Sequence, residues 1–310
     1  MILSHMPVML NEVIQSLITN KSGYYIDGTI GGGGHLKEIL KKIDINGRIL
    51  GFDRDIDAVK RVKEIDEKDT RFQSVHLNFS EIPNKLDQLG IKKVDGVFLD
   101  LGVSSFQIDI SERGFSFSKD ATLDMRMDQS QNLCARKWIN SSSEKEIADV
   151  IYKYGNEPKA KKIANSIIQY RKNKDIVNTS ELAELILKVK AHEKFKKIHP
   201  ATKSFQAIRI KINNELENLE KALKGMINRI SVGGRFVILT FHSLEDRIVK
   251  HFFNSHVKRK HSLQEGGYSI SGLKPYIKWI TNNVITASPE EIEKNPRSRS
   301  AKLRVIEIIG

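Results

Sequence analysis

Over the first hundred residues, short continuous apolar runs alternate with stretches of helical spacing. That rhythm predicts strands and helices in turn, packed as a parallel α/β sheet. Residues 24–26, Tyr24-Tyr25-Ile26, read as a strand entering a glycine cluster, and 36–42 as the helix after it. Residues 48–52 read as a second strand, followed by a helix that begins near Asp55. Residues 72–76 form a third strand. Residues 94–99, nearly all apolar, form a fourth that is buried on both faces.

The rhythm then stops. From 106 to 199 the pattern is helical periodicity with polar loops and no buried strand; 147–151 and 182–187 have helix-like apolar spacing. A long helix is expected over 215–230, ending at Gly233-Gly234, and strand character returns at 235–240. Further strands are expected near 277–285 and 303–309. The organisation predicted is a discontinuous α/β domain, 1–105 and 200–310, interrupted by a helical insertion at 106–199. An insertion beside the carboxyl end of a strand lies over the ligand crevice of such a sheet.

Composition narrows the classes. With 39% hydrophobic and 29% charged residues in 310, the chain reads as a soluble globular protein with a sizeable core. No apolar run is long enough to cross a bilayer, and the start, Met1-Ile2-Leu3-Ser4-His5-Met6-Pro7, lacks a basic stretch leading into an apolar one. A cytoplasmic location is expected, with no membrane partner. One cysteine, Cys134, rules out an internal disulfide and a zinc site of several thiolates, and no metal is assigned. The net charge of +13 favours a polyanionic partner, nucleic acid first, although a genome biased toward Lys, Ile and Asn codons would produce part of that excess.

The strongest local signal is Asp27-Gly28-Thr29-Ile30-Gly31-Gly32-Gly33-Gly34-His35, directly after the first strand. Glycines there let the backbone turn and approach a ligand closely. The second strand ends in Asp53, whose carboxylate can accept hydrogen bonds from both ribose hydroxyls of an adenosine ligand. A dinucleotide fingerprint would need a third glycine at 36 or 37, where Leu36 and Lys37 stand. The segment instead resembles motif I of the class I methyltransferases. Asp100 at the end of the fourth strand and Phe79 after the third extend the constellation, Phe79 as a cover for an adenine face. Each also has a plain reading as strand-end polarity or core.

Cytosine carbon-5 methylation needs a cysteine nucleophile. Cys134 has no neighbouring proline and reads as a small buried apolar residue, so transfer to nitrogen or oxygen is favoured. Asp100-Leu101-Gly102-Val103 replaces the proline-rich clamp of many amino-methylating enzymes. Several stretches in order along the chain carry a closer resemblance. They are His5-Met6-Pro7-Val8-Met9-Leu10, the glycine segment, Asp100-Leu101-Gly102-Val103-Ser104-Ser105-Phe106-Gln107, and Arg113-Gly114-Phe115-Ser116-Phe117. They continue with Leu123-Asp124-Met125-Arg126-Met127-Asp128, the run from His199-Pro200 through Lys203 to Arg209, Phe241-His242-Ser243-Leu244-Glu245-Asp246-Arg247, and the run from Asn295-Pro296-Arg297-Ser298-Arg299 to Arg304. On these the chain resembles the bacterial small-subunit rRNA cytosine-N(4) methyltransferase family (RsmH or MraW), with departures such as Met9 and Lys203.

The resemblance implies a class I S-adenosylmethionine-dependent methyltransferase domain with a helical insertion for substrate recognition. It implies methylation of one cytidine in the decoding region of 16S rRNA, in the small ribosomal subunit. Cofactor contacts would be Gly31, Gly33, Gly34, His35, Asp53, Phe79, Asp100 and Gln107, of which His35 and Gln107 rest on resemblance alone. Asp100 is the candidate acceptor for the target amine, with the cofactor's amino acid moiety as the alternative. His242, with Ser243 and Glu245, is a candidate for positioning the base rather than for proton abstraction. RNA contacts are expected from Lys203, Arg209, Arg297 and Arg299, with Lys159, Lys161, Lys162, Lys258, Arg259 and Lys260 as further candidates. The rival readings are an NAD-dependent dehydrogenase, disfavoured by the missing glycine, and a non-catalytic RNA-binding factor, disfavoured by Asp53 beside the glycine turn.

Overall fold

The computed structural model describes residues 6–191, 199–262, 268–281 and 283–310; His5 lies outside the described residues. The chain forms two compact units, Met1–Gly102 with Leu216–Gly310, and Val103–Glu215.

The first unit begins with α1 (Leu10–Leu17), β1 (Tyr24–Asp27), α2 (Gly34–Lys42), β2 (Arg48–Asp53), α3 (Ile56–Lys68), β3 (Phe72–His76), α4 (Ile82–Gln88) and β4 (Val94–Asp100). The second unit follows with α5 (Ser105–Asp109), α6 (Ala135–Ser141), α7 (Glu144–Gly155), α8 (Ala160–Arg171), α9 (Thr179–Lys190) and α10 (Thr202–Asn213). The chain re-enters the first unit along α11 (Glu215–Met226) and continues through β5 (Ile230–Thr240), α12 (Ser243–His256), β6 (Arg259–Ser262) and β7 (Tyr268–Ser271). It closes with β8 (Ile277–Trp279), β9 (Ile285–Thr286), α13 (Pro289–Lys294) and β10 (Lys302–Ile308).

The main sheet runs β3-β2-β1-β4-β5-β10-β8, parallel from β3 to β5, with β10 antiparallel to β5 and both β8 and β9 antiparallel to β10. Successive strand residues face opposite sides, which explains the unbroken apolar runs. Tyr25, Ile49, Phe98, Val237 and Leu239 join one core beneath α1 and α2. Their neighbours Ile26, Leu50, Val97, Leu99, Phe236 and Ile238 join a second core with α4, α11 and α12. This is the expected α/β class. No helix among the described residues is long and apolar enough to cross a membrane.

Two expectations need correction. Gly233-Gly234 does not end the 215–230 helix: α11 stops at Met226 and β5 already starts at Ile230. Pairing with β4 jumps from Val94↔Ile230 to Gly96↔Arg235, and Gly233, at φ +83°, takes up the extra residues as an irregularity in the strand. The expected 277–285 strand is split into β8 and β9, both laid on β10.

The second unit is helical, and among its described residues the β pairing recorded is the isolated bridge Thr122↔Asn178. It runs past 199 to Glu215 and includes α10, which packs on α7. Gly155 is the reason they approach so closely: a Cβ there would stand 2.7 Å from the Lys203 carbonyl oxygen. Nearby, Lys190 Nζ meets Glu157 Oε2 at 2.6 Å with both side chains nearly inaccessible. Removing one partner of such a pair strands a buried charge. Lys190→Ala should therefore lose about 3–5 kcal/mol of unfolding free energy, while Lys190→Met with Glu157→Leu should lose markedly less. Denaturant titration of the three proteins checks this.

Candidate active site at the carboxyl ends of the strands

Parallel pairing aligns the carboxyl ends of β1, β2 and β4, and each ends in an aspartate: Asp27, Asp53 and Asp100. The loop after β1 is stitched to both neighbours. Gly28 N–H donates to the Phe98 carbonyl (2.9 Å) and Ile30 N–H to that of Phe52 (3.0 Å). The backbone N–H of Asp100 donates to Thr29 Oγ1 at 2.6 Å. Gly28 is obligatory for packing, because a Cβ would come within 2.3 Å of Leu99 Cδ2 and 3.3 Å of Phe79 Cβ. Gly31, at φ +55°, is different: the nearest atom to a Cβ there is 3.9 Å away, so the backbone is left bare toward open space.

Asp53 is fixed through both oxygens. Gly31 N–H donates to Oδ2 (2.8 Å) and Asp55 N–H to Oδ1 (2.8 Å), while Asp55 itself caps α3. Loss of hydration pushes its carboxyl up to about 6 against those hydrogen bonds, with Asp55 adding to the rise. Asp27 accepts from Thr29 N–H and is almost wholly inaccessible; burial pushes it up to about 7, and Asp53 contributes. Asp100 is pushed up to about 8, first by lost hydration and then by Asp27 and Glu245. Its Oδ1 is buried without a hydrogen-bond partner. The cluster therefore concentrates acceptors with few internal donors. A ligand carrying hydroxyls, an ammonium or a sulfonium suits that imbalance.

His35 stands behind this cluster. Its Nε2 donates to the Val8 carbonyl at 3.0 Å, its ring meets Phe98 edge-on, and Nδ1 lies 3.8 Å from Asp100 Oδ2. That distance is too long for a hydrogen bond but close enough for electrostatic coupling. Pro7 lies against Gly34, where a Cβ would approach its Cγ to 2.3 Å. The segment is anchored by Met9 N–H to Glu291 Oε1 (2.7 Å) and by Asn295 Nδ2 to the Met6 carbonyl (3.1 Å). Gly33, at φ +75°, caps α2 against Val62. Of these glycines, Gly31 opens a cradle, Gly28 lets the loop pack on Leu99, and Gly33 and Gly34 let α2 and the N-terminal segment close behind it.

The remaining candidates fall in different places. Phe79 opens a turn after β3, half-buried on the core beside Gly28. His242 caps α12: Nδ1 accepts from Glu245 N–H (3.4 Å) and Nε2 lies 3.1 Å from Glu245 Oε1, while Glu245 Oε2 accepts from Phe241 and His242 N–H. Nδ1 is thus taken up in the helix cap, while Nε2 is buried near Glu245 without a hydrogen-bond partner. Arg297 and Arg299 are exposed on a short turn pinned by buried Ser298. In the second unit, Gln107 completes a capping box with Ser104, and Lys203 is exposed on α10. Arg209 is not presented to solvent as expected: its guanidinium makes two 2.8 Å bonds to buried Glu215. Cys134 is half-exposed ahead of α6 rather than buried. Sequence reasoning assigned no role to Asp27 or Thr29. Their position between the strand end and the glycines was the available signal.

The raised carboxyls have a consequence for stability. A folded-state value above the unfolded one makes a contribution that is complete below about pH 4 and lost as pH rises through the folded value. The ligand-free protein should lose stability from pH 5 to 8. Asp27→Asn should remove part of that slope, raising Tm at pH 8 but not at pH 4, as thermal scans would read. A slope unchanged by the substitution would remove Asp27 from this account.

Comparison with known proteins identifies the family. The family model described as the MraW methylase family matches residues 2–309. A Clostridium botulinum protein called ribosomal RNA small subunit methyltransferase H is 46% identical over 301 residues, covering 97% of each chain. Proteins of the same name from Carboxydothermus hydrogenoformans and Alcanivorax borkumensis are 44% and 42% identical, covering 98% and 99% of this chain and 97% of their own. The chain belongs to the MraW methylase family and is an S-adenosylmethionine-dependent methyltransferase.

Proposed function

We propose that this enzyme methylates the exocyclic N(4) amine of a cytidine in the decoding region of 16S rRNA, acting on the small ribosomal subunit in the cytoplasm by direct in-line transfer. The names of the relatives support a small-subunit rRNA substrate. The cytosine amine and the decoding region are what the resemblance implies. Direct transfer is favoured because the α/β unit contains no cysteine to form a covalent bond with the ring.

The observation that carries the reading is Asp100: a strand-end carboxylate whose Oδ1 is buried without a partner beside a bare glycine turn. When bound, S-adenosylmethionine supplies an electrophilic methyl on a sulfonium. Asp53, held by Gly31 and Asp55 N–H, retains acceptor capacity for ribose hydroxyls. Phe79 is the proposed cover for the adenine, and the bare backbone at Gly31 supports close approach of the ligand. The amine lone pair is conjugated with the cytosine ring, so attack requires the nitrogen to pyramidalise. An acceptor for its protons at Asp100 favours that geometry, and orientation contributes up to several kcal/mol. The amine proton leaves once the new bond to carbon has formed. The base must be unstacked to reach such a site. His35 acts through Asp100 as a positioning residue. Gln107 belongs to the cofactor contacts by resemblance, and Lys203, Arg297 and Arg299 are the remaining proposed RNA contacts.

Methyl transfer from labelled cofactor to small subunits lacking the modification, followed by nucleoside mass spectrometry, should yield N(4)-methylcytidine. Asp53→Ala should weaken cofactor binding about 10–100-fold, as expected for losing charge-assisted hydrogen bonds. Another methylated nucleoside would overturn the substrate assignment.

Asp100→Asn separates its two roles. Loss of transfer rate with cofactor affinity retained would place Asp100 at the amine, and loss of affinity would place it at the cofactor's amino acid moiety. Only ionised Asp100 is an acceptor for both oxygens, so kcat/KM for the cofactor should rise with pH through about 8. A bound cation favours the charged carboxylate, so the corresponding limb of kcat should lie lower. A flat profile between pH 6 and 9 would count against Asp100 in either role.

A further inference from the structure

Between residues 247 and 289 the chain carries seven Lys and Arg against one acidic residue, Glu265. The structure gathers this excess at the antiparallel end of the α/β unit. β6 and β7 pair as a two-stranded ribbon outside the main sheet, Arg259 opposite Ser271 and Lys260 opposite Ile270. Arg259, Lys260 and His261, and across from them Ser269, Ile270 and Ser271, are all exposed, so the ribbon stands off the body with both faces in solvent.

An isolated pair of strands is marginally stable, and this one is pinned at its base. Buried His256 brings Nδ1 to 3.1 Å from the Leu273 carbonyl and 3.2 Å from that of Pro275, and Leu273 N–H donates to the Ser255 carbonyl at 2.8 Å. At the same base, Lys258 and Lys274 both stand over the Tyr276 ring, 5.4 and 6.0 Å from its centroid. Among the described residues no carboxylate is within ion-pair distance of Lys258, Arg259 or Lys274, whereas Lys278 is neutralised by Glu307 at 2.7 Å. Two cations held on one ring without a counter-charge among the described residues form a surface suited to an anion. Further along, Trp279 is bonded to Asn254 and overlain by Arg304, beside a cavity of about 140 Å³ that Lys250 also lines.

We propose that the β6–β7 ribbon and its Lys258–Tyr276–Lys274 base bind the phosphate backbone of the RNA substrate. The proposal rests on the RNA substrate put forward above. Exposed Lys258 and Lys274 beside the Tyr276 ring, with no carboxylate among the described residues to neutralise them, suit a polyanion that also presents planar bases. The contact sets affinity and register and reads no sequence. It adds a docking surface whose residues touch neither the cofactor site nor the carboxylate cluster.

The test uses the full-length K258Q/R259Q/K260Q/K274Q protein, with K60Q/K63Q on α3 as an exposed-charge control. Binding to protein-free 16S rRNA is followed against salt. The logarithmic slope should flatten by about three for four lost phosphate contacts. KM for RNA should rise tenfold or more with kcat at saturating RNA and cofactor affinity unchanged, and the control should match wild type. Lysine acetylation of the wild-type protein gives a reading that depends on no variant: RNA should protect Lys258 and Lys274. An unchanged slope, or no protection, overturns the proposal. Protection by assembled subunits but not by protein-free RNA also overturns it and identifies a protein partner. If the slope flattens but small-subunit RNA accepts no methyl group, the substrate reading fails while the surface stands.

Discussion

The cost of burying three carboxylates together, Asp27, Asp53 and Asp100, is the constraint around which the α/β unit is organised. Parallel pairing of β1, β2 and β4 sends three carboxylates to one edge of the sheet, where burial raises all of them. The loop after β1 must then bring donors rather than side-chain bulk. Thr29 and Gly31 supply N–H groups to Asp27 and Asp53, and Thr29 receives the N–H of Asp100. Asp100 is left the least compensated of the three. A site balanced in this way is tuned for a ligand that brings positive charge and hydroxyls with it, and is under tension without one.

The parallel half of the fold was legible because burial on both faces leaves long apolar runs, as in β4 and β5. Chemistry in the site was legible where a residue type has few other uses: a glycine run after a strand, an aspartate ending the next. Other features follow rules that sequence does not distinguish. Gly233-Gly234 would serve a helix end or a strand irregularity equally well, and the pairing with β4 decides it. His242 reads as chemistry, yet the Glu245 three residues on makes it a helix cap. Arg209 reaches Glu215 across Asn214, whose φ of 48° turns the chain back, a pairing outside helical spacing. The β6–β7 ribbon buries so little that no alternation betrays it.

Some stretches that carry the family resemblance serve the architecture of the insertion unit. Arg113 is buried and donates through Nη2 to the carbonyls of Arg126 and Met127. Arg126 makes a two-point contact with Asp124, and the Asn213 amide bridges the Met125 carbonyl and Met127 N–H. Met125 itself holds φ at 62°. A loop that contorted needs its polar groups supplied from fixed positions, so a motif rich in charge here reports a backbone to be held in place.

The ties from Met9 to Glu291 and from Met6 to Asn295 join residues 282 and 289 positions apart in sequence. Translation reaches the glycine turn and all three aspartates well before residues 291–295. A nascent chain that stops between them would hold the turn and the carboxylates yet lack the anchors of the wall behind Gly34 and His35. Competence to use the cofactor is thereby tied to a late step in synthesis, long after the groups that contact it have been made.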